Sequence, residues 1–270
     1  MEPVLVTRGH SPLVLAMPHV GTFVPDDITA TLNAEGRRLR DADWHIERLY
    51  ADLVPEASVV QATHHRYCID LNRAPSQESL YPGQNTTDLV PLTDFDGQPI
   101  WQKGKEPDAE EIARRRAAFH TPYHAALTAE IARVKAIHGV AILYDCHSIR
   151  SHIPYLFEGQ LPDLNIGTNS GQSCDKRISD AVADLCLESG FSSIVNGRFK
   201  GGWTTRHYGQ PEHHVHAIQM EMTQALYLVT EAEPFFFDDE KAARLRPLLR
   251  HILENLIARA HTLAHKPEKF

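Results

Sequence analysis

The stretch Gly139-Val140-Ala141-Ile142-Leu143-Tyr144-Asp145-Cys146-His147-Ser148 decides how this chain folds. A glycine stands where a helix must stop, because it adopts the left-handed cap without a Cβ clash. The apolar run 140–144 follows at strand length. It ends in Asp145, Cys146 and His147, a polar cluster delivered by a buried strand. Upstream, Ile112, Phe119, Tyr123, Leu127, Ile131 and Val134 recur three, four or seven residues apart, which predicts one apolar face on a helix over 108–137. Pro122 should kink that helix or divide it. Helix, abrupt stop, apolar strand and polar strand end together make an α/β unit.

The same grammar extends in both directions. Strands are expected at 4–7 and 13–16, separated by the turn residues Arg8-Gly9-His10-Ser11-Pro12. A helix over 41–53 carries Trp44, Leu49 and Leu53, and strands follow at 58–62 and 66–71. Beyond the central unit come a helix at 175–188 and strands at 193–195 and 215–222. A closing helix over 238–263 aligns Ala242, Leu245, Leu249, Ile252, Leu256, Ala260 and Leu263. Strands alternating with helices predict an α/β fold of three layers, α/β/α, and the early cluster of strands makes the central sheet mixed. No polar linker divides the chain, so 1–270 reads as one domain. The segment 74–107 interrupts it with Pro75, Pro82, Gly83, Pro91, Gly97, Pro99, Gly104 and Pro107. An irregular insertion this long is expected to wall or cover a pocket.

The 270 residues carry 27 Lys and Arg against 35 Asp and Glu, a net charge of −8 with histidine neutral. That balance argues against a nucleic-acid partner, which needs a basic face. No apolar run reaches the roughly 18 residues of a membrane span, and Met1-Glu2-Pro3 lacks the basic and apolar regions of a secretory leader. The four cysteines are widely spaced and form no C-x-x-C pair, which fits reduced thiols and a cytoplasmic location. The sequence gives no oligomeric state.

Four segments place polar groups at or just after strand ends, where ligands bind in α/β sheets. One delivers His19 through Met17-Pro18-His19, and a second delivers Asp145 and His147. A third, 67–75, presents Asn72 and Arg73, and the planar guanidinium suits a carboxylate. The fourth, 216–222, carries Glu221 near the end of an apolar strand, where an unpaired buried carboxylate is costly. Each has a plain structural alternative, such as a turn hydrogen bond for His19 or a local acid partner for Arg73. Their convergence favours chemistry. Lys200 and Arg206 in the glycine-flanked segment 200–209 are further candidates for contact with an anionic substrate. Two histidines and a carboxylate compose a catalytic zinc shell. By residue type, Asp43, Glu47, His45 and Glu212 all qualify as its third member.

Taken together, these segments resemble the N-formylglutamate deformylase (N-formylglutamate amidohydrolase) family. The resemblance rests on Met17-Pro-His-Val-Gly21, Asp43-Trp-His-Ile-Glu-Arg-Leu-Tyr50, Asp70-Leu-Asn-Arg73, Asp145-Cys-His-Ser148, Leu164-Asn-Ile-Gly-Thr168, Lys200-Gly-Gly through Arg206-His-Tyr-Gly209, and His216-Ala-Ile-Gln-Met-Glu221. It implies a zinc-carboxypeptidase-like (phosphorylase/hydrolase-like) fold, related also to the aspartoacylases. It implies hydrolysis of N-formyl-L-glutamate to L-glutamate and formate, in histidine degradation. It implies one zinc per chain, with cobalt, manganese or iron as substitutes, held by His19, Asp43 and His147. Glu221 would be the general base, and Asn72, Arg73, Lys200 and Arg206 would hold a small dicarboxylate substrate. One departure is plain: where the wider clan has His-x-x-Glu, Thr22 stands three residues after His19. Sibling activities on N-formyl-aspartate or another N-acyl amino acid, and a non-catalytic carboxylate-binding module, are the alternatives.

Overall fold

The computed structural model describes residues 1–76, 78 and 85–264. Its strands are β1 (Val4–Thr7), β2 (Leu13–Met17), β3 (Ser58–Ala62), β4 (Ala141–Ile149), β5 (Leu164–Gly167), β6 (Ser193–Val195) and β7 (Val215–Thr223). Its α-helices are α1 (Asp26–Thr29), α2 (Ile46–Tyr50), α3 (Ala109–Arg115), α4 (Thr121–His138), α5 (Lys176–Glu188), α6 (Trp203–Tyr208) and α7 (Asp239–Ala264).

The strands form one mixed sheet in the order β1-β3-β2-β4-β7-β5-β6. The run β3-β2-β4-β7 is parallel, and antiparallel pairs attach β1 to β3 and β5 to β7. Every residue of β2, β4 and β7 is buried, as expected of parallel strands covered on both faces. Leu15, Tyr144 and Ile218 pack with Leu249 and Leu256 of α7, while Val14, Leu143 and Ala217 pack with Leu127 and Val134 of α4. Helices therefore cover both faces, and the expected three layers are present. Among the described residues no helix is long and apolar enough to cross a membrane.

Gly139 caps α4 at φ 74°, in the left-handed region expected of it. The break expected at Pro122 falls just before it, where a π-helical turn over Arg116–His120 joins α3 to α4. Asp175 caps α5 by accepting from the Arg177 N–H at 2.9 Å.

Two expectations need correction. The segment 66–71 is not a strand. Its backbone bonds leave the sheet: Cys68 N–H donates to the His65 carbonyl and Asp70 N–H to that of Leu89, at 2.8 and 2.7 Å. Only 46–50 of the helix expected over 41–53 forms, because His45 is left-handed at φ 60° and Asp43 N–H is drawn to the His19 carbonyl at 3.0 Å. Two short elements, β5 and α6, were not anticipated as a strand and a helix. Residues 77 and 79–84 of the expected insertion over 74–107, with Pro82 and Gly83, lie outside the described residues.

Candidate metal centre and substrate cavity

Three neighbouring parallel strands bring the chemistry together. β2 ends two residues before His19, and β4 continues through His147. β7 pairs with β4 in a register that sets Glu221 directly beside His147. The Asp43–His19 backbone bond ties the loop carrying Asp43 to the end of β2.

His19, Asp43 and His147 are buried, and each offers a ligand atom within 4.8 Å of the others. Among the described residues this is the one group of three or more His, Cys, Asp or Glu side chains so arranged. Asp43 Oδ2 lies 3.0 Å from His147 Nδ1 and 3.8 Å from His19 Nδ1. The far nitrogen of each ring is held by another carboxylate. His19 Nε2 meets Asp70 Oδ1 at 2.7 Å, and His147 Nε2 meets Asp145 Oδ1 at 3.0 Å. This is how metal-binding imidazoles are oriented: the outer N–H donates to a carboxylate and the inner nitrogen keeps its lone pair. The Asn72 amide nitrogen is also 3.0 Å from His147 Nε2, but two donors cannot bond each other, so Asp145 is the partner of that N–H. His19 Nδ1 is buried with no hydrogen-bond partner. An orphaned lone pair facing a carboxylate and a second imidazole fits a divalent cation.

The other candidates for the third ligand stand outside this group. His45 Nε2 bonds the Phe235 carbonyl at 2.9 Å, and Glu212 is exposed. Glu47 is only half-buried and stands outside the group.

Charge is distributed asymmetrically around this group. Burial pushes the His19 imidazole below its ordinary pKa, and nearby Arg66 adds to that. Burial opposes protonation of His147 too, but Asp145 and Asp43 override it and raise its pKa well above the usual value. Burial would raise Asp70, yet Arg66, Arg73 and His19 hold its carboxyl well below the usual range. Glu221 is pushed up to about 8, chiefly by burial, with His147 opposing. Its Oε2 accepts from Gln219 Nε2 at 3.1 Å.

These groups open on a cavity of about 630 Å³ of empty space, part of it open solvent. His19, Asp43, His147 and Glu221 line it, and Asn72, Arg73, Arg66 and Arg198 add amide and guanidinium groups. Arg73 Nε donates to the Thr87 carbonyl at 2.8 Å, which fixes the fork against the irregular segment. Arg66 pairs with Asp70 and lies over the Phe95 ring, 4.7 Å from its centroid. Lys200 is exposed, and Arg206 is half-buried with Nε donating to the Gly201 carbonyl. Neither lines this cavity among the described residues, so of the four expected substrate contacts the fold brings Asn72 and Arg73 to it.

The α6 helix sits behind these residues. Thr204 N–H donates to Asn72 Oδ1 at 2.8 Å, and Thr205 Oγ1 donates to Asp145 Oδ2 at 2.9 Å. At Gly202 a Cβ would collide with the Asn72 amide, so glycine permits that approach. Arg66, Asp70, Arg198 and Gln219 were not singled out in the sequence. Asp70 and Gln219 lie inside the motifs that carry the resemblance; Arg66 and Arg198 lie outside them.

A family model described as N-formylglutamate amidohydrolase matches residues 11–228. The chain is 48% identical to an N-formylglutamate deformylase of Pseudomonas aeruginosa over 254 residues, covering 93% of this chain and 94% of that protein. It is 44% identical to an N-formylglutamate deformylase of Pseudomonas putida, with the same coverage. The crystal structure of an N-formylglutamate amidohydrolase from Ralstonia eutropha superposes with a TM-score of 0.81 at 25% identity, over 97% of this chain and 99% of that one. A gene product of Agrobacterium tumefaciens, 17% identical with a TM-score of 0.72 over 97% of this chain and 96% of its own, shares the fold.

Proposed function

The chain belongs to the N-formylglutamate amidohydrolase family, and from that premise we propose that it hydrolyses N-formyl-L-glutamate to L-glutamate and formate. The observation that carries this reading is the position of Glu221 beside the His19–Asp43–His147 group, in the cavity that Asn72 and Arg73 also line.

We assign a divalent ion, zinc first and cobalt, manganese or iron as substitutes, to His19, Asp43 and His147. When bound, such an ion acidifies water and polarises the formyl carbonyl. The chain's own residues do the rest. Asp70 and Asp145 aim the two imidazoles. Glu221 takes a proton from the attacking water as the new C–O bond forms, and hands it to the glutamate nitrogen as the C–N bond breaks. Arg73, with Asn72 beside it, takes one substrate carboxylate, and Arg198, which lines the same cavity, takes the second. The arrangement of two histidines, a carboxylate, a strand-end glutamate and an Asn-Arg pair supports a zinc-carboxypeptidase-like site. Lys200 and Arg206 are removed from the direct contacts in this reading. The chain works as one domain, with part of 74–107 walling the cavity. The four cysteines are buried and free, which supports a cytoplasmic setting.

The test is metal content together with formate release from N-formyl-L-glutamate, before and after chelation. The expected result is about one divalent ion per chain, activity lost to chelator and regained with metal. Turnover that survives complete metal removal refutes the reading. Metal without formate release, but with acetate or another acid released from a different N-acyl amino acid, moves the substrate to a sibling amide. Glutamate binding without any turnover leaves a binding module.

A further inference from the structure

His120 and His124 lie behind the cavity wall, and none of the steps above uses them. His120 closes the π-helical turn over Arg116–His120, a feature that recurs at functional sites. His124 lies one helical turn further on, so both rings leave the same face, with centroids 4.3 Å apart. His120 Nε2 is 3.0 Å from the Arg73 carbonyl, and His124 Nε2 is 2.8 Å from the Leu71 carbonyl. Carbonyl oxygens only accept, so each ring must carry its proton on Nε2. The Tyr208 hydroxyl, 3.0 Å from His124 Nδ1, supplies the donor that this tautomer requires. Two N–H groups thus hold the peptide carbonyls on either side of Asn72.

We infer that His120 and His124 are positioning residues for the Asn72–Arg73 carboxylate clasp. The inference rests on the assignment of Asn72 and Arg73 to substrate binding. The segment 71–73 belongs to no strand, so no ladder fixes its register. Individual bonds anchor it instead: Asn72 N–H to Asp70 Oδ1 at 2.8 Å, Thr204 N–H to Asn72 Oδ1, the Arg73 guanidinium to Thr87, and the two imidazoles. Trp203 backs both rings, with its centroid 5.6 Å from His120 and 4.6 Å from His124. Burial depresses both imidazole pKa values, that of His124 to about 3, and keeps them neutral donors across the physiological range. A role in packing alone would need only ring volume. The paired carbonyl acceptors are what require an N–H donor at each position.

The experiment compares His120→Phe with His120→Gln in the metal-loaded enzyme. Phenylalanine keeps the ring and loses the donor, whereas glutamine keeps an amide N–H near the Nε2 position. The expected result for His120→Phe is a KM for N-formyl-L-glutamate raised about threefold to tenfold, the scale of one lost hydrogen bond, with kcat and metal content unchanged. His120→Gln should return KM toward the wild-type value. A Phe variant with wild-type KM, or a Gln variant no better than Phe, overturns the inference. Arg73→Ala is measured alongside. If its KM does not rise, the clasp assignment itself fails. If it rises while His120→Phe stays at the wild-type value, only the positioning role fails. Should His120→Phe not fold, His120→Asn replaces it, since its amide is too short to reach the Arg73 carbonyl.

Discussion

His147 and Arg73 face the same cavity from opposite kinds of backbone. His147 stands inside a nine-residue strand, bonded in parallel register to β7 along its length. Arg73 stands in a segment outside the sheet, held by the His120 and His124 side chains, by the Asp70 carboxylate, and by the α6 backbone N–H of Thr204 that the Asn72 side chain accepts from. His147 and Glu221 therefore inherit their precision from the sheet, and the recognising side acquires it from individual hydrogen bonds. Damage should differ accordingly. A change on the sheet side should abolish chemistry while leaving affinity, and a change on the loop side should weaken affinity while leaving chemistry.

The sharpest way to break this division is Glu221→Gln. Its kcat should fall by about 10²–10⁴-fold, the contribution of a positioned general base, with metal content and KM close to wild type. An unchanged kcat at full metal content would remove Glu221 from the chemistry. Next in size come Asp70→Asn and Asp145→Asn, each expected to weaken metal affinity about 10–100-fold, read by competition with a chelator. If metal affinity held in both, the carboxylates would not be orienting the imidazoles. On the loop side, Arg73→Ala and Arg198→Ala should each raise KM, on the order of tenfold or more for a lost charge-assisted bond. Matching losses of kcat in either variant would merge the two walls into one machine.

The last signal is thermal rather than kinetic. The carboxyl of Glu221, ordinarily at 4.5, lies at about 8 in the folded protein without metal. Between those values the unfolded chain has released a proton that the folded chain keeps. Stability of the chelated protein should therefore fall as pH rises from about 4.5 to about 8, then level off. Glu221→Gln lacks that proton and should show a flatter curve, by about 2–4 °C in Tm for each kcal/mol removed. An equally steep limb in the variant would assign it to another group.

The same contrast explains what the sequence disclosed. Strand ends announced themselves, because an apolar run stopping at His19, His147 or Glu221 is a local pattern. The bounds of β1, β3 and β6, the Gly139 stop and the helix capped by Asp175 were legible for the same reason. The loop side was not. Arg66–Leu71 carries the short apolar run Tyr67-Cys68-Ile69, as a strand would, yet it is buried among side-chain partners that sequence does not place. The α6 helix is six residues long, too short for periodicity, and its flanking glycines read as a loop. Arg198 reaches the cavity through tertiary folding alone, and nothing near it in the chain foretells that. Lys200 and Arg206 carried the right charge, but neither lines the cavity among the described residues.

No side-chain bond joins Glu221 to His147; their adjacency is a matter of counting along two strands. A point substitution elsewhere in β7 leaves the count intact. Inserting or deleting a single residue between Val215 and Glu221 would turn the carboxylate to the opposite face of the sheet. The reaction is thus protected against changes of letter and exposed to changes of length. Variants of this protein with altered substrates should carry their insertions in the irregular segments around the cavity, and none between the start of β7 and its glutamate.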